Sequence, residues 1–118
     1  MPKKILVGED SSIIINLTKN VLAFENYQMK AARNGKQVLE LLEKEDFDLI
    51  LMDPPYGTGA GSVALDKLAR LGWIAPGALI SIETGNREDT EVKGFEIDTI
   101  RDIGKARVTL LRPESKPE

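Results

Sequence analysis

With 118 residues, 42% hydrophobic and 30% charged, the chain has the composition of a soluble globular protein large enough to bury a core without disulfides or metal staples. Its 16 basic and 19 acidic residues leave a net charge of −3, which argues against a nucleic-acid partner held by its phosphate backbone. Cysteine and histidine are both absent, which excludes disulfides, thiolate nucleophiles, a Ser-His-Asp triad, a histidine phosphorelay and the usual zinc ligands.

Ile5 to Val7 reads as a first strand that delivers Glu9 and Asp10 to its carboxyl end. Ser11 or Ser12 caps a helix in which Ile14, Leu17, Val21 and Leu22 recur at the spacing of one buried face, and Asn26 stops it. Tyr27 to Ala32 reads as a second strand closed by the Asn34-Gly35 turn. A helix over about Lys36 to Lys44 then sets Val38, Leu41 and Leu42 on one side. The run that Asp48 opens, Leu49 to Met52, is apolar, bounded by turn residues and too short for a helix, so it is expected to be a central parallel strand buried on both faces.

After a glycine-rich bend, Ser62 to Leu71 is helical with Ala64, Leu65 and Leu68 inward and Gly72 as its stop; Trp73, Ile74 and Ala75 cover the helix end. Pro76-Gly77 turns the chain into a fourth strand, Ala78 to Glu83, and Thr84 to Lys93 is a polar surface loop. Two alternating runs, Phe95 to Thr99 and Arg107 to Leu110, flank Gly104-Lys105 as an antiparallel hairpin with one wetter face. The tail Pro113 to Glu118 holds only proline, serine and charge and is expected to be disordered. Strands alternating with helices predict an α/β fold, a doubly wound and mostly parallel three-layer sandwich formed by one domain over residues 1–112. No apolar run approaches membrane-spanning length, and the start MPKKILV passes straight into a strand, so a cytoplasmic protein without a membrane partner is expected.

Ligands of open α/β sheets bind outside the carboxyl ends of the strands, where Asp53 leaves the central strand, so Asp53 is the first candidate for chemistry. Residues 1–53 resemble the receiver domain of bacterial response regulators, through Glu9-Asp10, the turn at Asn34-Gly35, the helix QVLELLEKE and the strand DLILMD. That resemblance implies a phosphoacceptor at Asp53 with a histidine kinase as partner. It also implies a magnesium site of Glu9, Asp10, Asp53 and the carbonyl of Pro55, oxygen ligands that suit a hard cation. A receiver also needs a hydroxyl ending the fourth strand and a lysine ending the fifth. Here Glu83 stands near the hydroxyl's place with Thr84 one residue late, and Arg112-Pro113 ends a hairpin arm.

Residues 54–112, with the strand before them, resemble the carboxyl half of ribosomal-RNA guanine-N2 methyltransferases. The carrying stretches are DPPYGTG, GWIAPGALISIET and GFEIDTIRDIGKARVTLLRP. The resemblance implies that Asp53 and the carbonyl of Pro54 accept the N–H bonds of an exocyclic amine, which sharpens its nucleophilicity, while Tyr56 stacks on the base. It also predicts the sheet order 2-1-3-4-6-5 with the last strand antiparallel. Where such enzymes hold S-adenosylmethionine with a glycine-rich loop and a ribose-binding acid, this chain reads GEDSS and AARNG. A G-x-G-x-x-A run from Gly59 to Ala64 is explained by the bend alone and carries no dinucleotide. Two resemblances meeting at one aspartate read as an engineered chimera without complete catalytic machinery. On that reading it is not an enzyme, has at most a residual magnesium site, and S-adenosylmethionine is not expected to bind. The two parental activities stand as alternatives.

Overall fold

The computed structural model describes residues 3–22, 27–53, 60–88 and 93–114. Its elements run β1 (Lys3–Gly8), α1 (Ser12–Leu22), β2 (Tyr27–Ala32), α2 (Gly35–Lys44), β3 (Leu49–Met52), α3 (Ala60–Leu71), β4 (Leu79–Gly85), β5 (Phe95–Ile103) and β6 (Ala106–Pro113). All six strands join one sheet in the order β2-β1-β3-β4-β6-β5. The β2-β1-β3-β4 stretch is parallel, and β6 runs antiparallel between β4 and β5. The predicted fold class and strand order are therefore the ones observed. Asn26, the predicted stop of α1, and residues 115–118 of the tail lie outside the described residues.

Alternation along the strands divides the sheet into two unlike faces. On one, Leu6, Ile50, Ile80, Ile82 and Leu111 pack with Val38 and Leu42 of α2 and with Leu65 and Leu68 of α3. Trp73 and Ile74 close this core beyond the end of α3, as their place in the sequence predicts. On the other face α1 shields Ile5 and Val7, while Leu49, Leu51, Leu79, Val108 and Leu110 remain half-buried.

Three expectations are corrected by the structure. The residues of α1 nearest the sheet are Ile15, Thr18 and Leu22, whereas Ile14, Leu17 and Val21 are exposed. The helix is apolar over more of its circumference than one contact can cover, so spacing alone did not select the buried stripe. Nor is β3 buried on both faces: Ile50 is buried, but Leu49 and Leu51 keep partial exposure, because α1 is the one described helix on their side; Met52, on the face of Ile50, packs against the core yet stays half-buried at the strand's end. The fourth strand also runs two residues further than predicted, through Thr84 to Gly85.

The strands are anchored at their amino ends. Asp48 enters β3 by donating its N–H to the Lys4 carbonyl at 2.8 Å, while its carboxylate accepts the Lys4 N–H at 2.8 Å. Leu79 N–H then donates to the Asp48 carbonyl at 3.0 Å, tying β4 to the same point. Glu45, just past α2, pairs with Lys4 of β1 and Lys30 of β2, and Lys4 lies over the Phe47 ring at 5.3 Å. These contacts fix the amino edge and leave the carboxyl edge for a ligand.

Candidate functional site

In the order β2-β1-β3, the chain leaves β1 to one side and returns on the other, so the switch point lies between β1 and β3. Crevices at such points are where open α/β sheets bind ligands. Asp53 follows β3 at this place and donates its N–H to the Gly8 carbonyl at 3.3 Å. Glu9, at the end of β1, donates its N–H to the Ala32 carbonyl of β2 at 2.9 Å and turns its buried carboxylate back to accept the Ser11 N–H at 3.2 Å. The Glu9 carboxyl lies close enough to Asp53 to act on its titration.

Two cavities meet at this edge. One, of about 350 Å³, opens on the α2 and α3 side and is bounded by the ends of β1, β2 and β3 together with Asn34, Gly35, Val38 and Ala64. The other, of about 210 Å³, lies on the α1 side between Ile14 and Thr18 and the strand residues Leu51, Ser81, Glu83 and Val108. Gly8, Glu9, Met52 and Asp53 border both. Gly8 is needed for the tight approach of α2: a Cβ there would lie 3.3 Å from Val38 Cγ2 and 3.6 Å from the Leu51 carbonyl. The far wall is set by the start of α2. Asn34 Oδ1 accepts the Gln37 N–H at 2.9 Å, and Gln37 Oε1 accepts the Arg33 N–H at 2.7 Å, a reciprocal cap that holds the loop after β2 open. The Arg33 guanidinium reaches across to Ser12 Oγ at the start of α1.

The electrostatics centre on Asp53. Its residue keeps solvent on one side, yet partial burial of the carboxyl is the largest of several causes that raise its pKa from 3.8 to about 6. The nearby Glu9 carboxyl acts next, then the negative charges of Glu83, Glu9 and Asp10. Near neutral pH the group can therefore pass between proton acceptor and proton donor.

The structure brings together Glu9, Asp10, Asp53 and Glu83 around one edge, as their positions in the sequence imply. Pro54, Pro55 and Tyr56 lie outside the described residues. The magnesium reading is corrected: among the described residues no three acidic side chains converge in a metal-holding group. The Glu9 carboxylate instead accepts the Ser11 N–H. Thr84, one residue past the place of a receiver's hydroxyl, is buried on the opposite face of β4 from Glu83, and its Oγ1 donates to the Gly85 carbonyl at 3.2 Å. Sequence reasoning missed Asn34, Gly35, Val38 and Ala64 as walls of the larger cavity. The signal was available, since a turn after a strand flanking the switch point must border the crevice.

Residues 1–112 match the family described as Conserved hypothetical protein 95. The chain is 32% identical to sporulation initiation phosphotransferase F of Bacillus subtilis over 123 residues, covering 93% of this chain and 97% of that protein. Its fold is shared with a candidate methylase from Haemophilus influenzae, at a TM-score of 0.64 and 21% identity over 96% of this chain and 74% of the other. It is shared too with an rRNA methyltransferase from Streptomyces viridochromogenes, at a TM-score of 0.52 and 18% identity over 83% and 44%.

These matches overturn three expectations. The family match runs unbroken through Asp53 and Pro54, so the reading of an engineered chimera without catalytic machinery falls, and with it the expectation of no enzyme. The family is one of S-adenosylmethionine-dependent methyltransferases, so the expectation that this cofactor has no place is also corrected. The missing glycine-rich loop and ribose acid misled, because the larger cavity is walled by backbone and small residues at Gly8, Ala32 and Gly35. Its size suits a nucleoside-sized ligand, and its rim of Glu9, Asp10 and Asp53 suits one bearing positive charge, so the residues present fit a sulfonium cofactor. Among the described residues no helix is long and apolar enough to cross a membrane.

Proposed function

Because the chain belongs to the Conserved hypothetical protein 95 family, we propose that it is an S-adenosylmethionine-dependent N-methyltransferase acting on an exocyclic amine of a nucleic-acid base, with RNA as the substrate class. The observation that carries this reading is Asp53, placed between two cavities at the switch point with a carboxyl whose pKa is raised to about 6. The net charge of −3 spoke against nucleic acid, but whole-chain charge says little about one crevice, and the rRNA methyltransferase that shares the fold supports an RNA substrate. Residues 1–112 serve as one catalytic unit, a reading the extent of the family match supports.

The cofactor, when bound, supplies an electrophilic methyl group on a sulfonium sulfur. Gly8, Glu9, Asp10, Asn34, Gly35 and Val38 are the residues that would hold it in the larger cavity. The Asp53 carboxylate accepts an N–H bond of the amine, which localises the nitrogen lone pair for attack, and takes up the proton as the new N–C bond forms. The carbonyl of Pro54 is assigned the second N–H, and Tyr56 the stacking contact with the base. Glu9 and Glu83 keep the site negative, so a cationic donor enters with its charge matched.

Titration with S-adenosylmethionine, followed by transfer of its labelled methyl group to RNA, tests the reading. Wild type is expected to bind and transfer, with activity rising as pH passes through about 6. Asp53→Asn is expected to lose activity on the order of a hundredfold or more while still binding the cofactor. Full activity in Asp53→Asn, or no cofactor binding by the wild type, overturns it. An acetyl-phosphate adduct on Asp53 that Asp53→Asn lacks, in a chain that transfers no methyl group, assigns the residue to phosphoacceptance instead.

A further inference from the structure

The molecule carries an apolar stripe that its own fold leaves open. Along α1, Ile13, Ile14, Leu17 and Val21 are 73%, 46%, 56% and 67% exposed, although they sit on a helix whose other side faces the sheet. Ile14, Leu17 and Val21 are spaced three and four residues apart, the spacing of a helix–helix seam. We propose that the chain self-associates through α1, two copies packing antiparallel so that Leu17 of one meets Leu17 of the other and Ile14 meets Val21.

The stripe is suited to its own copy. It is centred on Leu17 with a β-branched residue to either side, so reversing the helix places like against like, as a two-fold interface requires. The helix contains no acid, and its single base, Lys19, lies on the side away from the stripe; Asn16 and Asn20 border the stripe on one side. The apolar centre of the stripe can therefore meet its copy without like charges in contact there, although each chain carries a net charge of −3. A lipid surface is a poorer match, because interfacial helices carry several basic residues on the polar face and α1 carries one. The exposed fractions leave roughly 400 Å² of stripe per copy, within the range of the largest apolar patch on a typical monomer. An antiparallel pair covers about 800 Å² through the stripe, below the roughly 1,200 Å² at which stable interfaces begin, so the dimer is weak and reversible.

Sedimentation velocity tests this as concentration is raised through the micromolar into the millimolar range. The sedimenting mass is expected to climb from the 13.0 kDa monomer toward twice that value, and Leu17→Lys, which sets two ammonium groups at the centre, is expected to hold it at the monomer. The chain has no cysteine of its own, so a single introduced thiol reports contact directly. Leu17→Cys is expected to oxidise to a covalent dimer at least tenfold faster than Lys67→Cys on the exposed side of α3. This second readout decides the matter if Leu17→Lys misfolds. A wild type that stays monomeric overturns the proposal, as does a dimer that persists in Leu17→Lys or equal oxidation of the two thiols. Flotation of a monomer with phosphatidylcholine vesicles would reassign the stripe to a lipid surface.

Discussion

The two faces of the sheet are made by the same strands, from alternate residues, and differ in what covers them. Beneath α2 and α3, Leu65, Ile80, Ile82 and Leu111 are almost wholly removed from water. Beneath α1, their neighbours Leu51, Leu79, Val108 and Leu110 are only half-buried, and three of the four α1 positions predicted to be buried are exposed. Apolar alternation records that a strand has a side to bury. It does not record how much of the chain arrives to bury it.

Large-to-small substitution should break the symmetry of the two faces most sharply. Leu65→Ala on the closed face is expected to cost about 2–5 kcal/mol in denaturant unfolding, since α3 cannot collapse into the space left behind. Leu110→Ala on the open face should cost under about 1.5 kcal/mol, because much of that side chain already meets solvent. Equal losses would show that the open face is covered in solution.

Adding an atom probes the same contrast from the other direction. Gly94 adopts φ +104 at the start of β5, and a Cβ there would lie 3.0 Å from the Ala69 Cβ of α3. Gly94→Ala is therefore expected to destabilise by about 1–3 kcal/mol, measured by thermal unfolding, and a neutral result would mean that α3 yields more readily than its packing implies.

The smallest effect concerns Asp53, which belongs to both faces. Its folded pKa, about 6, lies above its ordinary value of 3.8, so the native state binds the proton more tightly than the unfolded chain does. That contribution to stability is present below the unfolded pKa and is lost as pH rises through about 6. Asp53→Asn should thus narrow its stability deficit, or gain an advantage, relative to wild type as pH moves from 5 to about 7. A melting-temperature difference that stays constant across that range would show that the neighbouring acids do not act on Asp53.

Most of the fold was legible because each signal was local. Tyr27 to Ala32 reads as a strand from its ends, the Asn34-Gly35 turn separates it from α2, and Gly72 stops α3 where predicted. The strand order came with the methyltransferase resemblance. The site was half legible. Asp53 and Glu9 stand at strand ends that topology brings together, whereas the cavity walls at Gly35 and Val38 depend on how closely α2 approaches Gly8, a distance that no single stretch of sequence encodes. The cofactor expectation failed for the same reason, since a motif was sought where a shape was present.

The irregularity in β5 has a bearing on how this protein survives at high concentration. At nine residues, β5 is the longest strand among the described residues and one of the two edges of the sheet, with Ile97, Ile100 and Ile103 exposed, a composition that invites templated growth into ribbons. The pairing register between β5 and β6 shifts between Ile97 and Thr99, with Asp98 as the extra residue. An incoming strand would face a bent ladder and a misplaced carboxylate at that point, and could extend the sheet only by giving up its own straight register. The bulge thus works against straight extension of the sheet at the β5 edge.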